Sequence, residues 1–262
     1  MPPGTARYWS WLFAAADSRG PVLGIYALRA EWQALMDPAT EISVAHLKLA
    51  WWQEEMQRLA AGSPVHPISN YLAALPRAAA VDFMPLLTAV NAAAAQVSGV
   101  PLERGADLEP QSRALWGDPL ALASRLAGEV ADETALRACT RDLAAGDYLS
   151  DAIRDYRREA RAGRVPFAID ELMAAGIDND DLAADPAPAH LQRYLEMLRA
   201  RAARYFEIAS QELPCTERAA HRHLLVLAAL GAHRLNSRAP FSARARLSDM
   251  LLAWQTARRA GK

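Results

Sequence analysis

The sequence contains little of what builds β-sheets, because runs in which Val, Ile or Thr alternate with polar residues are nearly absent. Ala and Leu dominate instead, and Gly and Pro are widely spaced. Since β-branched and aromatic residues at a two-residue period are the usual sign of strands, their scarcity argues against a sheet. The 262 residues are 52% hydrophobic, which is ample for a buried core. The sequence therefore predicts an all-α globular fold.

Cysteine is also scarce, and histidine is not arranged for metal binding. Cys139 and Cys215 lack the spacing of a metal motif, and two thiols make no disulfide framework. His221, His223 and His233 lack the four-residue spacing that places two ligands on one helical face. We therefore expect these histidines to be ordinary surface and core side chains, and a reducing cytoplasm to be the compartment.

Long hydrophobic runs and an excess of one charge are missing as well. The most apolar run after the N-terminal region, residues 224–232, is less than half of the roughly 20 residues that a spanning helix needs. The N-terminal stretch lacks a basic leader and a small-residue cleavage site. With 29 basic and 30 acidic residues, no overall field would attract nucleic acid. We expect no transmembrane segment and no nucleic-acid partner, whereas peripheral membrane contact stays open.

Breaks in the helical periodicity divide the chain into about eight to ten helices. The breaks are Gly20-Pro21, Asp37-Pro38, residues 62–67, 117–119, Gly163, 185–188 and Ala239-Pro240. No segment is polar and low in complexity enough to be a linker, so we expect residues 1–262 to form one domain. Two predicted helices, 41–61 and 133–162, are each followed by a glycine, which is a common helix stop.

The predicted helix over 41–61 has an apolar stripe and a polar face. The stripe expected to face the core comprises Val44, Leu47, Trp51 and Met56 or Leu59, and the polar face comprises Gln53, Glu54 and Gln57. Adjacent residues on a helix point about 100° apart, so only one of Trp51 and Trp52 is expected in the core.

Three carboxylates follow one another at four-residue intervals near the end of the helix over 133–162: Asp151, Asp155 and Glu159. On a helix they share one face, where each like-charge pair costs about 0.2–0.5 kcal/mol unless a cation neutralises it. Mg²⁺ is one such cation, because it takes carboxylate oxygens, water and substrate phosphates as ligands. The alternative is a solvated helix end whose acids pair with the interleaved arginines, and spacing alone does not decide between them.

Three segments of the chain, residues 7–32, 47–72 and 146–172, resemble the squalene/phytoene synthase family of head-to-head isoprenyl-diphosphate transferases. The most specific motifs are Trp51-Trp52 followed by Gly62 and His66-Pro67, and Ile153-Arg154-Asp155 followed by Gly163-Arg164. The resemblance covers most of residues 7–177 and weakens towards the C-terminus.

The resemblance implies an isoprenoid-synthase-like helical bundle with a central cavity between the helices of 22–36 and 133–162. Two acidic segments on facing helices would there bind Mg²⁺, which bridges to the diphosphates of prenyl substrates. By this resemblance the metal ligands are Asp37, Asp151, Asp155 and Glu159, and the residues that hold diphosphate are Arg29, Arg154 and Arg164.

The second acidic segment keeps part of the family pattern. Arg154 and Asp155 match it, whereas Asp151 stands where active members have Asn and Glu159 replaces the last Asp. Glu carries the same charge on one more methylene, so metal binding is compatible with that exchange. The Tyr-Leu-Pro that follows in active members is absent from residues 165–168.

The first acidic segment departs further from the family pattern. Gln33 and Ala34 stand in place of its two leading aspartates, and only Asp37 remains. Glu31 is two positions early, so on a helix it projects about 200° away from position 33. A site with three metal ions is therefore hard to assemble, and ionisation of an allylic diphosphate depends on such metals to hold the leaving group.

The region from 26 to 52 also resembles a divergent branch of the family, whose mitochondrial members assist assembly of respiratory complex I and lack these aspartates. We therefore interpret the chain as a family member that binds a prenyl diphosphate or a partner protein, with weak or no catalysis. One alternative is an active Mg²⁺-dependent head-to-head prenyltransferase of isoprenoid biosynthesis. Another is a helical interaction or assembly protein with a collapsed cavity.

Overall fold

The computed structural model describes residues 3–236 and 247–261, which contain helices and no strand. The fourteen α-helices of these residues are α1 Ala6–Leu12, α2 Ala16–Met36, α3 Ile42–Ala60, α4 Pro67–Ala73, α5 Met84–Val97, α6 Leu108–Ser112, α7 Asp118–Ala127, α8 Glu133–Arg161, α9 Ile169–Ala175, α10 Asn179–Ala183, α11 Ala189–Glu212, α12 Cys215–Arg218, α13 Arg222–Asn236 and α14 Leu247–Ala260. Two 3₁₀ turns, Ala78–Ala80 and Gly105–Asp107, and one π-helical turn, Arg113–Gly117, lie between them. The all-α prediction is confirmed for the described residues.

The expected count of eight to ten helices was too low. Connections expected to be irregular contain one- or two-turn helices such as α9, α10 and α12, which periodicity over a longer window does not detect. The break at Ala239-Pro240 lies outside the described residues. No helix of the part of the chain that the structure describes is long and apolar enough to cross a membrane.

Helix α2 begins earlier than expected. It starts at Ala16 and contains Pro21, so the predicted break at Gly20-Pro21 was wrong. A proline in a helix interior removes one backbone hydrogen bond, and α2 packs against α4 near this position. A β-carbon added at Gly24 would lie 2.5 Å from Leu72 of α4, so glycine permits this close approach.

Helix α3 has the expected extent but buries a different stripe. Leu47 is 74% exposed, and Val44 and Trp51 are also exposed, so the predicted inward face was wrong over its first half. The buried stripe is Ala45, Leu49, Trp52, Met56 and Leu59, which repeats at intervals of four and three residues. Trp52 is the core member of the tryptophan pair, and its ring packs edge-on against that of Trp32 in α2 at 6.1 Å.

A buried carboxylate fixes the loop between α3 and α4, where the His66-Pro67 motif lies. Glu55 accepts hydrogen bonds from the backbone N–H groups of Val65 (3.0 Å) and His66 (2.8 Å) and from Arg58 (2.9 Å). Burial acts to raise the pKa of Glu55, but these hydrogen bonds outweigh it and lower the pKa. The imidazole of His66 then packs on Trp52, with ring centroids 4.6 Å apart.

Helix α8 runs through the centre of the bundle and matches the prediction over 133–162. Asp132 caps its start by accepting a hydrogen bond from the Ala135 N–H, and Gly163, with φ of +75°, follows its end. Along its length α8 packs against α11 and α13. Phe206 of α11 lies at this junction, facing Gly146 of α8 and Gly231 of α13.

The close approach at Phe206 gives a stability prediction. In Gly231→Ala the added β-carbon would lie 2.4 Å from the phenyl ring, so the buried ring must shift. Overpacking of this kind costs about 1–3 kcal/mol, which corresponds to a fall of roughly 2–12 °C in Tm for a chain of this size. The measurement is differential scanning calorimetry. Gly128→Ala is the control, since Gly128 has extended backbone and no atom within 4 Å of the added carbon; equal melting of the two variants would contradict the packing argument.

Candidate ligand site between helices α2 and α8

A cavity of about 420 Å³ lies between the C-terminal half of α2 and the second half of α8. Its charged wall is formed by Arg7, Asp37, Asp151, Arg154, Asp155, Arg158, Glu159 and Arg164, with Gln33 beside them. Its apolar wall includes Met36, Val100, Leu102, Leu115, Trp116 and Val165. The cavity is where the resemblance predicted it, between the two helices that carry the acidic segments.

The structure brings six of the seven predicted site residues to this cavity. The four predicted metal ligands, Asp37, Asp151, Asp155 and Glu159, all line it, as do Arg154 and Arg164. Arg29 does not line the cavity. Its side chain is 2% exposed and lies beneath the wall, beside Asp147.

Each cavity carboxylate is paired with an arginine. The pairs are Asp37–Arg158 at 2.8 Å, Asp151–Arg154 at 2.6 Å, Asp155–Arg154 at 2.6 Å and Glu159–Arg164 at 2.8 Å. Arg164 also donates to the backbone carbonyl of Met36 at 3.0 Å, which ties the loop after α8 to the end of α2. The like charges on α8 are thus paired with arginines of the chain itself.

Asp147 is a carboxylate beneath the cavity wall that is not among the predicted site residues. It lies one turn before Asp151, and it accepts hydrogen bonds from Arg29 and, at 3.1 Å, from Arg7 of α1. Burial opposes ionisation, but the two guanidinium groups hold the pKa of Asp147 well below its usual range. The four-residue spacing of the acidic stripe, extended one turn backwards, points to Asp147. No local signal points to Arg7, which is 140 residues away.

Arg29 is held between Asp147 and an indole ring. Its guanidinium lies 4.1 Å from the centroid of the Trp116 ring, and Trp116 stacks on Trp32 with ring planes 20° apart. Burial, together with the charge of Arg7, lowers the pKa of Arg29 to about 10, so it stays charged at neutral pH. Arg29 therefore supports the cavity wall from below.

The histidines take no part in this site. His221 and His223 are buried, and burial lowers the pKa of both, to about 3 for His223. His233 is exposed on α13. They are core and surface side chains, as predicted.

The squalene/phytoene synthase family model matches residues 3–246. The chain belongs to the squalene/phytoene synthase family. Two solved structures are similar to it in fold. A dehydrosqualene synthase in complex with ligand is 14% identical, with a TM-score of 0.72, and the match covers 97% of this chain and 90% of that one. The squalene synthase HpnC from Alicyclobacillus acidocaldarius is 18% identical, with a TM-score of 0.68 and coverage of 96% and 88%. No curated protein sequence matches the chain.

The Mg²⁺ ions implied by the family fit this donor set poorly. Mg²⁺ needs carboxylate oxygens with free lone pairs, whereas the cavity wall holds equal numbers of carboxylates and arginines in contact with one another. At the first acidic segment, Gln33 offers a neutral amide. Burial also raises the pKa of Glu159, although Arg164 and Arg158 act against this. Within residues 3–236 and 247–261, no three His, Cys, Asp or Glu side chains converge as a metal site.

The buried ion pairs of Asp147 predict a pH-dependent stability difference. In Asp147→Asn the buried Arg29 loses its carboxylate, which costs about 3–5 kcal/mol, or roughly 6–20 °C in Tm. Because folding depresses the pKa of Asp147, its stabilisation is fully present above the ordinary Asp pKa of about 3.9 and is lost as pH falls below it. Urea unfolding at pH values from 7 to 3 should therefore show the gap between wild type and variant closing below about pH 4.

The matched control for this prediction is Asp155→Asn on the same helix. Asp155 pairs with arginines that are 38% and 53% exposed, so this variant should lose about 1 kcal/mol or less. A gap between wild type and Asp147→Asn that is small, or that does not change with pH, would show that Asp147 is not a stabilising ion-pair partner.

Proposed function

We propose that this protein binds one prenyl diphosphate in the cavity between α2 and α8 and turns it over weakly or not at all. The observation that carries the proposal is the pairing of every cavity carboxylate with an arginine. Such a wall can exchange an internal carboxylate for a diphosphate oxygen, because guanidinium groups bind both through two parallel hydrogen bonds.

The two walls of the cavity suit the two halves of such a ligand. Arg154, Arg158 and Arg164 line the cavity together with apolar side chains that include Leu115 and Trp116. Sites for drug-sized ligands have volumes of about 300–1,000 Å³, and 420 Å³ is near the lower end of that range. The volume supports one bound ligand, whereas head-to-head condensation requires two. An open cavity of this size also argues against the alternative of a collapsed one.

Weak or absent turnover follows from the charges near the first acidic segment. Cleavage of an allylic diphosphate places negative charge on the leaving group, which must be stabilised by cations that are free to receive it. Asp37, the remaining acid of the first acidic segment, is paired with Arg158, and Gln33 carries no charge. An active Mg²⁺-dependent transferase would require these carboxylates to be released from their arginines first.

Binding and turnover are separable in one experiment. At 100 times Kd, farnesyl diphosphate should stabilise the folded protein by about 2.7 kcal/mol, which raises Tm by several degrees. Diphosphate release in the presence of Mg²⁺ should stay at the rate of buffer alone, with geranylgeranyl diphosphate as a second substrate. Thermal melts and a diphosphate-release assay are the two measurements.

The control for this experiment is Ala152→Phe, which adds a phenyl ring to a cavity-lining residue of α8 and should reduce the shift in Tm. No shift in the wild type would refute ligand binding. Rapid diphosphate release would instead support the active transferase.

A further inference from the structure

A single side chain of α1 links the two helices that carry the acidic segments. Arg7 Nη1 donates to Gln33 Oε1 of α2 at 3.2 Å, and Arg7 Nη2 donates to Asp147 Oδ2 of α8 at 3.1 Å. The same Nη2 lies 3.5 Å from Asp151 Oδ2. The Arg7 side chain is 23% exposed and forms part of the cavity wall. A positive charge that belongs to the chain therefore stands between the facing segments.

Gln33 is suited to this arrangement because its amide is neutral and has both an acceptor oxygen and a donor nitrogen. Its Oε1 accepts the hydrogen bond from Arg7, and its Nε2 lies 3.5 Å from Asp151 Oδ2. With an aspartate at this position, Arg7 would face three carboxylates. With Gln33, the charges of Arg7 and Arg29 already balance those of Asp147 and Asp151.

This balance of charges opposes the binding of a divalent cation beside Asp147 and Asp151. A Mg²⁺ ion bound to Asp147 or Asp151 would lie close to the fixed positive charges of Arg7 and Arg29, and like charges at such distances repel strongly in a partly buried site. The coulombic attraction of Asp147 and Asp151 outweighs the effect of burial and raises the pKa of Arg7, so its charge is permanent. Arg7 cannot be neutralised to admit the metal.

We infer that Arg7 replaces the divalent cation in this chain, and that the anionic head of the ligand binds to its guanidinium directly, without Mg²⁺. This inference rests on the proposed function. Arg7 Nη1 carries two hydrogens and makes one hydrogen bond, to Gln33, so it keeps a donor for an anion, whereas Nη2 is shared between Asp147 and Asp151. The ligand class is a diphosphate monoester with an apolar tail, held by arginines alone.

The test is isothermal titration calorimetry of the full chain with inorganic pyrophosphate and with farnesyl diphosphate, each in EDTA and in Mg²⁺. Binding in EDTA should be at least as tight as binding in Mg²⁺. Arg7→Gln should weaken binding in EDTA about tenfold or more, because a charge-assisted hydrogen bond is lost. Arg7→Lys keeps the charge but loses the planar fork, so it should retain part of the affinity. Arg199→Gln, an exposed position of α11, should bind as the wild type does.

A double variant tests whether Mg²⁺ can take the place of the Arg7 guanidinium. Arg7→Ala combined with Gln33→Asp removes the internal cation and restores a carboxylate on α2, so its binding should become tighter in Mg²⁺ than in EDTA. Thermal melts show whether each variant is folded. If Arg7→Gln is unfolded, the affinity of Arg7→Lys in EDTA tests the role of Arg7 instead.

The outcomes separate this inference from the proposed function. Binding by the wild type only in Mg²⁺ would overturn the role of Arg7 and leave the proposed ligand standing. Binding in EDTA that Arg7→Gln does not weaken would also overturn it. Binding in neither condition would overturn both proposals.

Discussion

The contact of one largely buried carboxylate, Asp147, with two arginines holds the walls of the cavity together. Arg7 comes from α1, Arg29 from α2 and Asp147 from α8, so three helices meet at one cluster of charges. A buried charge costs several kcal/mol unless it is paired, so none of these helices can move away without leaving an unpaired ion. Trp116 covers the other face of Arg29. The shape of the cavity is thus set by charge pairing as well as by apolar packing.

The proposed binding role rests on the ion pairs of the cavity wall. The Mg²⁺ sites implied by the family need carboxylates that are not paired with another cation. Here each of the cavity carboxylates is paired with an arginine side chain. Guanidinium groups are shaped to bind oxygen anions. A fold shared with synthases is therefore compatible with a binding role, since function depends on the site and not on the fold.

Much of the fold follows from local sequence, and part of the site does not. Glycines and apolar spacing gave the ends of α8 correctly, and the acidic spacing identified a stripe that does line the cavity. The buried face of α3 was misjudged because alanines such as Ala45 make a second apolar stripe, and only the partner helix decides which is covered. Arg7 was missed because its contacts with α2 and α8 exist only after folding. The family motifs predicted the cavity, but they did not predict that Arg7 lies in its wall.

The π-helical turn Arg113–Gly117 between α6 and α7 brings Leu115 and Trp116 to the cavity wall. Such turns insert one extra residue and re-aim the side chains beside it. The chain has seven tryptophans, and among the described residues that line the cavity Trp116 is the only indole. One face of its ring is fixed against Arg29, and its cavity side borders the space that a ligand tail would fill. The cavity consequently borders its own chromophore, whose emission we expect to change when water leaves that space.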